Sequence, residues 1–306
     1  MNYIIVGVNG RPSMEDMFAT YDFQEAVILL TYLRNKATGK TFWRSMTPGS
    51  DWCKNPVPTF NEHDKVIMWG TRIPLDFGEA IVYNHTDVSV NASNKKKARE
   101  IFEEKNIAAP KLVHHDELHM TSYPVIIRKD KHRAGIGFYI ANTDTEALKI
   151  IKEMGDDNYY ISEIYPKTAE FRVHCASGKA LLVKQKPTPE DKSIIAWNFH
   201  QNELPWSTID RKDYNFDMIT LALNAIEAVG IDYGAVDIMS YPDKDGYPEH
   251  VVAEINTAPS YTPYLISKYG AYFEKLFRTK GKLKPWDYKE FKKGPSLAWK
   301  NKQLQE

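Results

Sequence analysis

The segment from Asp232 to Pro259, DYGAVDIMSYPDKDGYPEHVVAEINTAP, constrains this chain more than any other. Two apolar runs flank the turn-forming Pro242-Asp243-Lys244-Asp245-Gly246, which is the pattern of a β-hairpin. Asp237 falls in the first run. Glu254 and Asn256 stand two apart in the second, so the pleat sends that pair to one face. Two carboxylates and an amide oxygen suit a hard cation such as Mg²⁺, with Mn²⁺ as a substitute. Such an ion prefers oxygen donors, keeps some of its water and takes further ligands from substrate phosphates. The same alternation would serve an ordinary hairpin with one face in water. Val236, Ile238 and Met239 surround Asp237, however, and Val251, Val252, Ala253 and Ile255 fill the second run. Charge on such apolar strands is costly unless it is paired or metal-bound.

The rest of the composition narrows the class of partner. A chain of 306 residues is long enough for about two domains with a sizeable core. Forty basic residues balance 40 acidic ones, so no excess charge argues for nucleic acid or an acidic membrane, and a small ligand fits better. No apolar run approaches the roughly 20 residues of a membrane span, and Met1-Asn2-Tyr3 leads straight into a strand-like run. Cys53 and Cys175 read as reduced thiols rather than a disulfide framework, which implies a cytoplasmic protein.

Along the chain, YIIVGV at 3–8 reads as a buried strand. The spacing of Phe23, Ala26, Val27, Leu30 and Leu33 predicts a helix over 23–36 that closes before Gly39. Strands are expected at 65–70 and 80–84, which makes the first ninety or so residues an α/β module. Gly7 and Gly10 form an incomplete dinucleotide pattern and carry little weight. Ser93 or Asn94 can cap a helix bearing Ala98, Ile101 and Phe102, ended before Pro110. YPVIIR at 123–128 reads as a strand, followed by the basic loop KDKHRAGIG and a second strand at 138–141. Thr143 and Glu146 form a capping-box pattern ahead of Ala147, Leu148, Ile150, Ile151 and Met154, and Gly155 closes that helix. Strands YYISEIY and EFRVHCA follow. The polar, Pro- and Trp-containing stretch 187–206 is long enough for a lid or substrate loop. A helix with core residues Met218, Leu221, Ala222, Ala225 and Val229 then runs to Gly230. After the hairpin only YFEKLF reads as amphipathic, ahead of a lysine-rich tail.

Five of these segments, in this order, resemble the ATP-grasp superfamily, especially D-alanine–D-alanine ligases and the glutamate ligases that modify a ribosomal protein. SNKKKAREIFEEKNIAAP looks like the helix whose early lysine, here Lys95, reaches the nucleotide phosphates. YPVIIRKDKHRAGIGF is similar to the strand and mobile phosphate loop, with Arg128, Arg133 and Gly135. ISEIYPKTAEFRV looks like the hinge, where Glu163, Ile164 and Tyr165 would meet the adenine edge and Glu170 the ribose. DYGAVDIM and VVAEINTAPSYTP resemble the metal hairpin with Asp237, Glu254 and Asn256. The resemblance implies an α/β and α+β ATP-grasp fold: an N-terminal α/β domain over 1–92, a first lobe with the phosphate loop over 93–162, a second lobe with the metal hairpin over 163–270, and a C-terminal helix and tail over 271–306. It also implies ATP and Mg²⁺ as ligands.

Each residue also has a plainer alternative. Lys95 could be a solvated member of the Lys95-Lys96-Lys97 run, and Glu163 and Glu170 exposed strand-end charges. Arg172, on the same strand face as Glu170, could bind phosphate or pair with Glu170. The departures bear on the substrate. Arg128 stands where many relatives have lysine, so the cation persists as a planar fork. Arg133 replaces a glycine and, with Lys131 and His132, makes the loop basic. Ala235 occupies the place of an arginine that stabilises the oxyanion in dipeptide ligases, which argues against a D-alanine ligase. Lys184 and Lys186, sharing one strand face, and His200 in the WNFHQN segment are candidates to act with Arg172 on the acceptor side. The expected reaction joins a small-molecule or peptide carboxylate to an amine through an acyl phosphate. The alternatives are a small-molecule kinase of the same fold or a non-catalytic nucleotide-binding module.

Overall fold

The computed structural model describes residues 3–8, 27–34, 41–46, 53–55, 59–71, 75–129, 137–155, 159–190, 205–259 and 263–279. These residues form three sheets, with six, four and five strands. In the first, β1 (Tyr3–Val8) runs parallel to β2 (Val27–Arg34) on one side and β5 (Lys65–Trp69) on the other. Parallel β6 (Ile81–Tyr83) and antiparallel β3 (Thr41–Met46) and β4 (Cys53–Asn55) extend the two edges.

The helix expected over 23–36 is therefore a strand where the structure describes it, with Tyr3 opposite Val27 and Val8 opposite Tyr32. Val27, Leu30 and Leu33 lie three apart, a spacing that fits a helical face. β2 pairs with β1 on one side and β3 on the other, and its sequence is a nearly continuous apolar run with no period-2 alternation, so spacing alone misassigns it. The β-branched and aromatic content of VILLTYLR is the signal that favours the strand.

Two short helices follow the first sheet. α1 (Thr86–Ser93) has no clear sequence signature, and α2 (Lys95–Glu104) starts one residue later. Asn94 serves both: its N–H donates to Val90 O at 3.0 Å, and its side chain accepts from Lys97 N at 3.0 Å. The second sheet has the order β7 (Leu112–Val113), β10 (Tyr159–Glu163), β8 (Val125–Lys129), β9 (Phe138–Ala141). α3 (Asp144–Met154) covers it with Ala147, Ile150, Ile151 and Met154, while Leu148 is 44% exposed, so the apolar stripe is narrower than expected. Thr143 accepts from Glu146 N at 3.1 Å, but the Glu146 carboxylate reaches past the cap to Asn142 N, at 2.8 Å.

The third sheet has the order β13 (Ser207–Thr208), β12 (Lys179–Lys186), β11 (Ala169–Ala176), β14 (Tyr233–Pro242), β15 (Pro248–Asn256) and is antiparallel throughout. α4 (Phe216–Val229) packs on one face, burying Met218, Ala222, Ala225, Ile226 and Val229 against Val173, Val183, Val236, Ile238 and Val252. Gly230, with φ +80°, ends it in the left-handed conformation. On the other face Ala176, Leu182 and Tyr233 pack into a second apolar cluster at one end, and charged and polar residues occupy the rest.

α5 (Pro263–Arg278) begins well before YFEKLF. Proline suits the first turn of a helix, so Pro263 starts it rather than breaking it. Its stripe of Leu265, Ile266, Tyr269, Tyr272, Phe273, Leu276 and Phe277 packs with Ile5, Ile67, Trp69 and Tyr83 of the first sheet and Leu182 and Tyr233 of the third. Lys65 caps the helix from β5: its buried ammonium donates to Leu276 O at 2.9 Å, to Phe277 O at 2.8 Å and to Thr279 O. Asn84, at φ +53°, fastens β6 to β14. Its Oδ1 accepts from Asp232 N at 2.7 Å and Tyr233 N at 3.2 Å, and its Nδ2 donates to Tyr233 O at 2.8 Å. Among the described residues no helix is long and apolar enough to cross a membrane.

Candidate active site

Directly opposed residues of an antiparallel sheet share a face. Register across the third sheet aligns Thr208 with Lys184, Lys184 with Arg172, Arg172 with Asp237 and Asp237 with Glu254. These five side chains form one row across the face opposite α4, running from a hydroxyl through two cations to two carboxylates. The neighbouring rows place Lys186 opposite Glu170, and Ala235 opposite both His174 and Asn256.

A β-bulge makes this row possible. The pairing of β14 with β15 shifts between Asp237, opposite Glu254, and Ile238, opposite Val252. In a regular strand Val252 and Glu254 would share a face. The extra residue, Ala253, reverses the alternation, so Val252 and Ile255 both pack beneath α4 while Glu254 and Asn256 stand on the polar face. Ala253 O accepts from Arg99 Nη2 at 2.9 Å, and Arg99 Nη1 donates to Pro110 O at 2.9 Å, which ties α2 to the bulge. That anchor brings Lys95, the first residue of α2, to 2.5 Å from Glu254 Oε2.

The charges are densely paired. Arg172 grips Asp237 bidentately, Nε to Oδ1 at 2.6 Å and Nη2 to Oδ2 at 2.7 Å, so its partner is Asp237 and not Glu170. Glu170 is instead held between Lys186 on Oε1 and Lys167 on Oε2, the latter at 2.7 Å. Trp206 lies over two of the cations, 4.5 Å from Arg172 Cζ and 4.4 Å from Lys186 Nζ. Burial pushes the Asp237 carboxyl up; Arg172 pulls it back and Glu254 and Glu170 push it up again, leaving it at about 6. Burial also raises Glu254, but Lys95 and Arg172 overrule it and hold it well below the usual carboxylate range. Burial and the Arg172 charge lower Lys184. His174 is wholly buried beside the row, and burial with Arg172 and Lys184 keeps it neutral, far below its ordinary value. Its Nδ1 lies 3.3 Å from Tyr269 OH, which donates to Gly234 O at 3.1 Å.

The proposed metal ligands can be tested for fit. Among the described residues no three His, Cys, Asp or Glu side chains gather as a cage. The set here is two carboxylates and an amide, all hard oxygen donors. Asn256 Nδ2 donates to Glu254 Oε1 at 3.2 Å, which leaves the amide oxygen available as an acceptor. The set fits a hard divalent cation in kind, with Arg172 and Lys95 balancing the two carboxylates.

The remaining candidates surround the row. Glu163 ends β10, and with Ile164 and Tyr165 it forms the half-buried link between the second and third sheets. Tyr165 OH donates to Glu163 Oε2 at 3.4 Å, and its ring lies 4.8 Å from that of Tyr241. Arg128, on β8, stacks over Phe138 at 4.9 Å, and its buried Nε has no hydrogen-bond partner among the described residues. Arg133, Gly135 and His200 lie outside the described residues. Sequence reasoning missed Lys167, Trp206, Arg99 and His174. Only Lys167, three residues before Glu170, had a local signal; the others enter through register or tertiary contact.

No protein-family model matches the chain, and no curated protein matches it. Solved structures do. The ATP-grasp ligase PsnB, complexed with a minimal precursor, superposes with a TM-score of 0.55 at 14% identity, covering 89% of this chain and 98% of its own. D-alanine–D-alanine ligase from Bacillus anthracis gives 0.54 at 16% identity, covering 89% and 92%. The VanG D-Ala:D-Ser ligase from Enterococcus faecalis gives 0.59 at 16% identity, covering 90% and 98%. PsnB has also been solved with Mg and ADP. At such identities the likeness speaks to architecture alone, and on that ground the chain has the ATP-grasp fold of the carboxylate–amine ligases.

Proposed function

We propose that the protein is an ATP-dependent carboxylate–amine ligase. The observation that most supports this reading is the row Lys184–Arg172–Asp237–Glu254, which sets anion-binding and cation-binding ends side by side on one buried face. ATP lies between the lobe of residues 93–162 and that of 163–270, behind the N-terminal domain of residues 1–92. Glu163, Ile164 and Tyr165 meet the adenine edge, and Glu170, oriented by Lys167 and Lys186, meets the ribose. Lys95 and Arg128 hold the outer phosphates, and Arg133 and Gly135, which lie outside the described residues, are assigned to the same phosphates by their place in the basic loop of the sequence. Asp237, Glu254 and Asn256 would hold Mg²⁺, which supplies Lewis-acid neutralisation of charge on the transferring phosphoryl group.

Arg172, fixed by Asp237 and flattened under Trp206, directs its remaining guanidinium edge toward the reacting groups at no orientational cost. An acceptor carboxylate oxygen bonds to the γ-phosphorus as the bond to the β-phosphate oxygen breaks, which gives an acyl phosphate and ADP. An amine then bonds to the acyl carbon, phosphate departs and the amine's surplus proton leaves to solvent. Arg172, Lys184 and Lys186, with His200 nearby in sequence, make up the acceptor side. Among the neighbours PsnB has been solved in complex with a precursor peptide and others are named as D-alanine–D-alanine or D-Ala:D-Ser ligases, which supports a small-molecule or peptide acceptor. Ala235, where an arginine stands in dipeptide ligases, argues against D-alanine itself.

Calorimetric titration with ATP and AMP tests the phosphate roles. Lys95→Ala and Arg128→Ala should each weaken ATP by about tenfold, the size of one charge-assisted contact, and AMP by much less. Equal losses for both nucleotides would place these cations at the fold or the adenine pocket and withdraw the assignment.

A further inference from the structure

The cations on the acceptor side are not equivalent. Arg172 is committed to Asp237, and Lys186 to Glu170. Lys184 stands between Arg172 and Thr208 in the same row, is only 6% exposed, and among the described residues makes neither an ion pair nor a hydrogen bond. Its immediate neighbour is another cation, Arg172. The Lys184 stem is packed away while its ammonium reaches the polar face with no counter-ion among the described residues, so it is left to meet an anion from outside.

We propose that Lys184, with the free edge of Arg172 and the hydroxyl of Thr208, forms the subsite that binds the carboxylate of the acceptor substrate. The inference rests on the ligase reading and deepens it. Lys95 and the three oxygen ligands gather at the β14–β15 end of the row, so the triphosphate belongs there. Lys184 sits two strands away from Asp237, about 10 Å at the usual strand separation. That span has room for one phosphoryl group and one planar carboxylate between them, in line. Thr208, one strand further and exposed, adds a neutral donor for a second carboxylate oxygen. Trp206 covers Arg172 and Lys186 and walls that flank, so the acceptor approaches past Thr208.

The test needs no turnover and no knowledge of the natural acceptor. N-acetylglycine, a carboxylate without an amine, is titrated into the full chain saturated with MgAMPPNP. The wild type should bind it, Lys184→Arg should bind within a few-fold, and Lys184→Met at least tenfold more weakly. The methionine variant should also melt no lower than the wild type, because Lys184 makes no ion pair or hydrogen bond among the described residues for the substitution to break. A merely structural lysine would instead melt lower when replaced. Inorganic phosphate distinguishes the anion: it should compete with the γ-phosphate and be excluded by MgAMPPNP, whereas N-acetylglycine should not. Exclusion of both by MgAMPPNP, unchanged N-acetylglycine affinity in Lys184→Met, or a lower melting point for that variant would overturn the subsite while leaving the nucleotide site standing. Failure of the wild type to bind MgAMPPNP would instead remove the ligase reading and the subsite with it.

Discussion

Replacing Asn84 with alanine should unfold the link between the first and third sheets. The Asn84 amide satisfies three backbone groups that are wholly buried: Asp232 N, Tyr233 N and Tyr233 O. Alanine leaves all three without partners, and each buried orphan costs about 1–3 kcal/mol. The residue also holds φ at +53°, where alanine pays about 1 kcal/mol more than asparagine or glycine. The lower bounds sum to about 4 kcal/mol, and a trapped water could recover at most one or two of the bonds. Against a total stability of about 5–15 kcal/mol this is a severe loss. Urea denaturation of wild type, Asn84→Ala and Asn84→Gly measures it, and glycine should recover only the backbone share. Near-ultraviolet dichroism follows the aromatic cluster of Trp69, Tyr233 and Phe273 beside the staple. An alanine variant within 1 kcal/mol of wild type would show that the amide is not what fastens β6 to β14.

His174 makes stability depend on pH. Its folded value lies well below 6.5 while the unfolded chain titrates normally, so the unfolded state binds more protons below about pH 6.5 and stability falls as the medium is acidified. His174→Phe should flatten the slope of melting temperature between about pH 7 and 5; His250, shifted in the same direction, leaves a smaller residual slope. Lys65→Met should strip the cap from α5 and cost about 2–4 kcal/mol, since three carbonyls lose a charged donor. Hydrogen exchange should show that loss first at Leu276 and Phe277, and unchanged protection there would refute the cap.

Much of this fold could be read from the sequence because its elements carry local signals. Asn94, Thr143, Gly155 and Gly230 cap or close their helices where local rules place them. The hairpin announced both its turn and its three oxygen-bearing residues. The first sheet was harder: β2 is an interior strand without alternation, and β3 and β4 are short, so the turn residues Gly39, Pro48-Gly49 and Pro56 around them bracket runs too brief to show a period. The site was legible as a list of charges and not as a set of pairs. Which carboxylate Arg172 grips depends on register between β11 and β14. The facing of Glu254 depends on a bulge at Ala253, which no pattern of apolar residues reveals. Lys184 and Lys186 are alike in sequence, and only the placement of Glu170 separates the cation paired with it from the one that has no ion pair among the described residues.

In the proposed reaction the γ-phosphate of ATP passes to a carboxylate. Once a substrate pool that stimulates ADP release is found, hydroxylamine added in place of the amine gives the most direct measurement. A hydroxamate of the acceptor should form with stoichiometric ADP and free phosphate, because hydroxylamine captures an acyl phosphate. Mass spectrometry that finds a stable phosphate ester on the acceptor and no hydroxamate would contradict it and make the protein a kinase of the same fold.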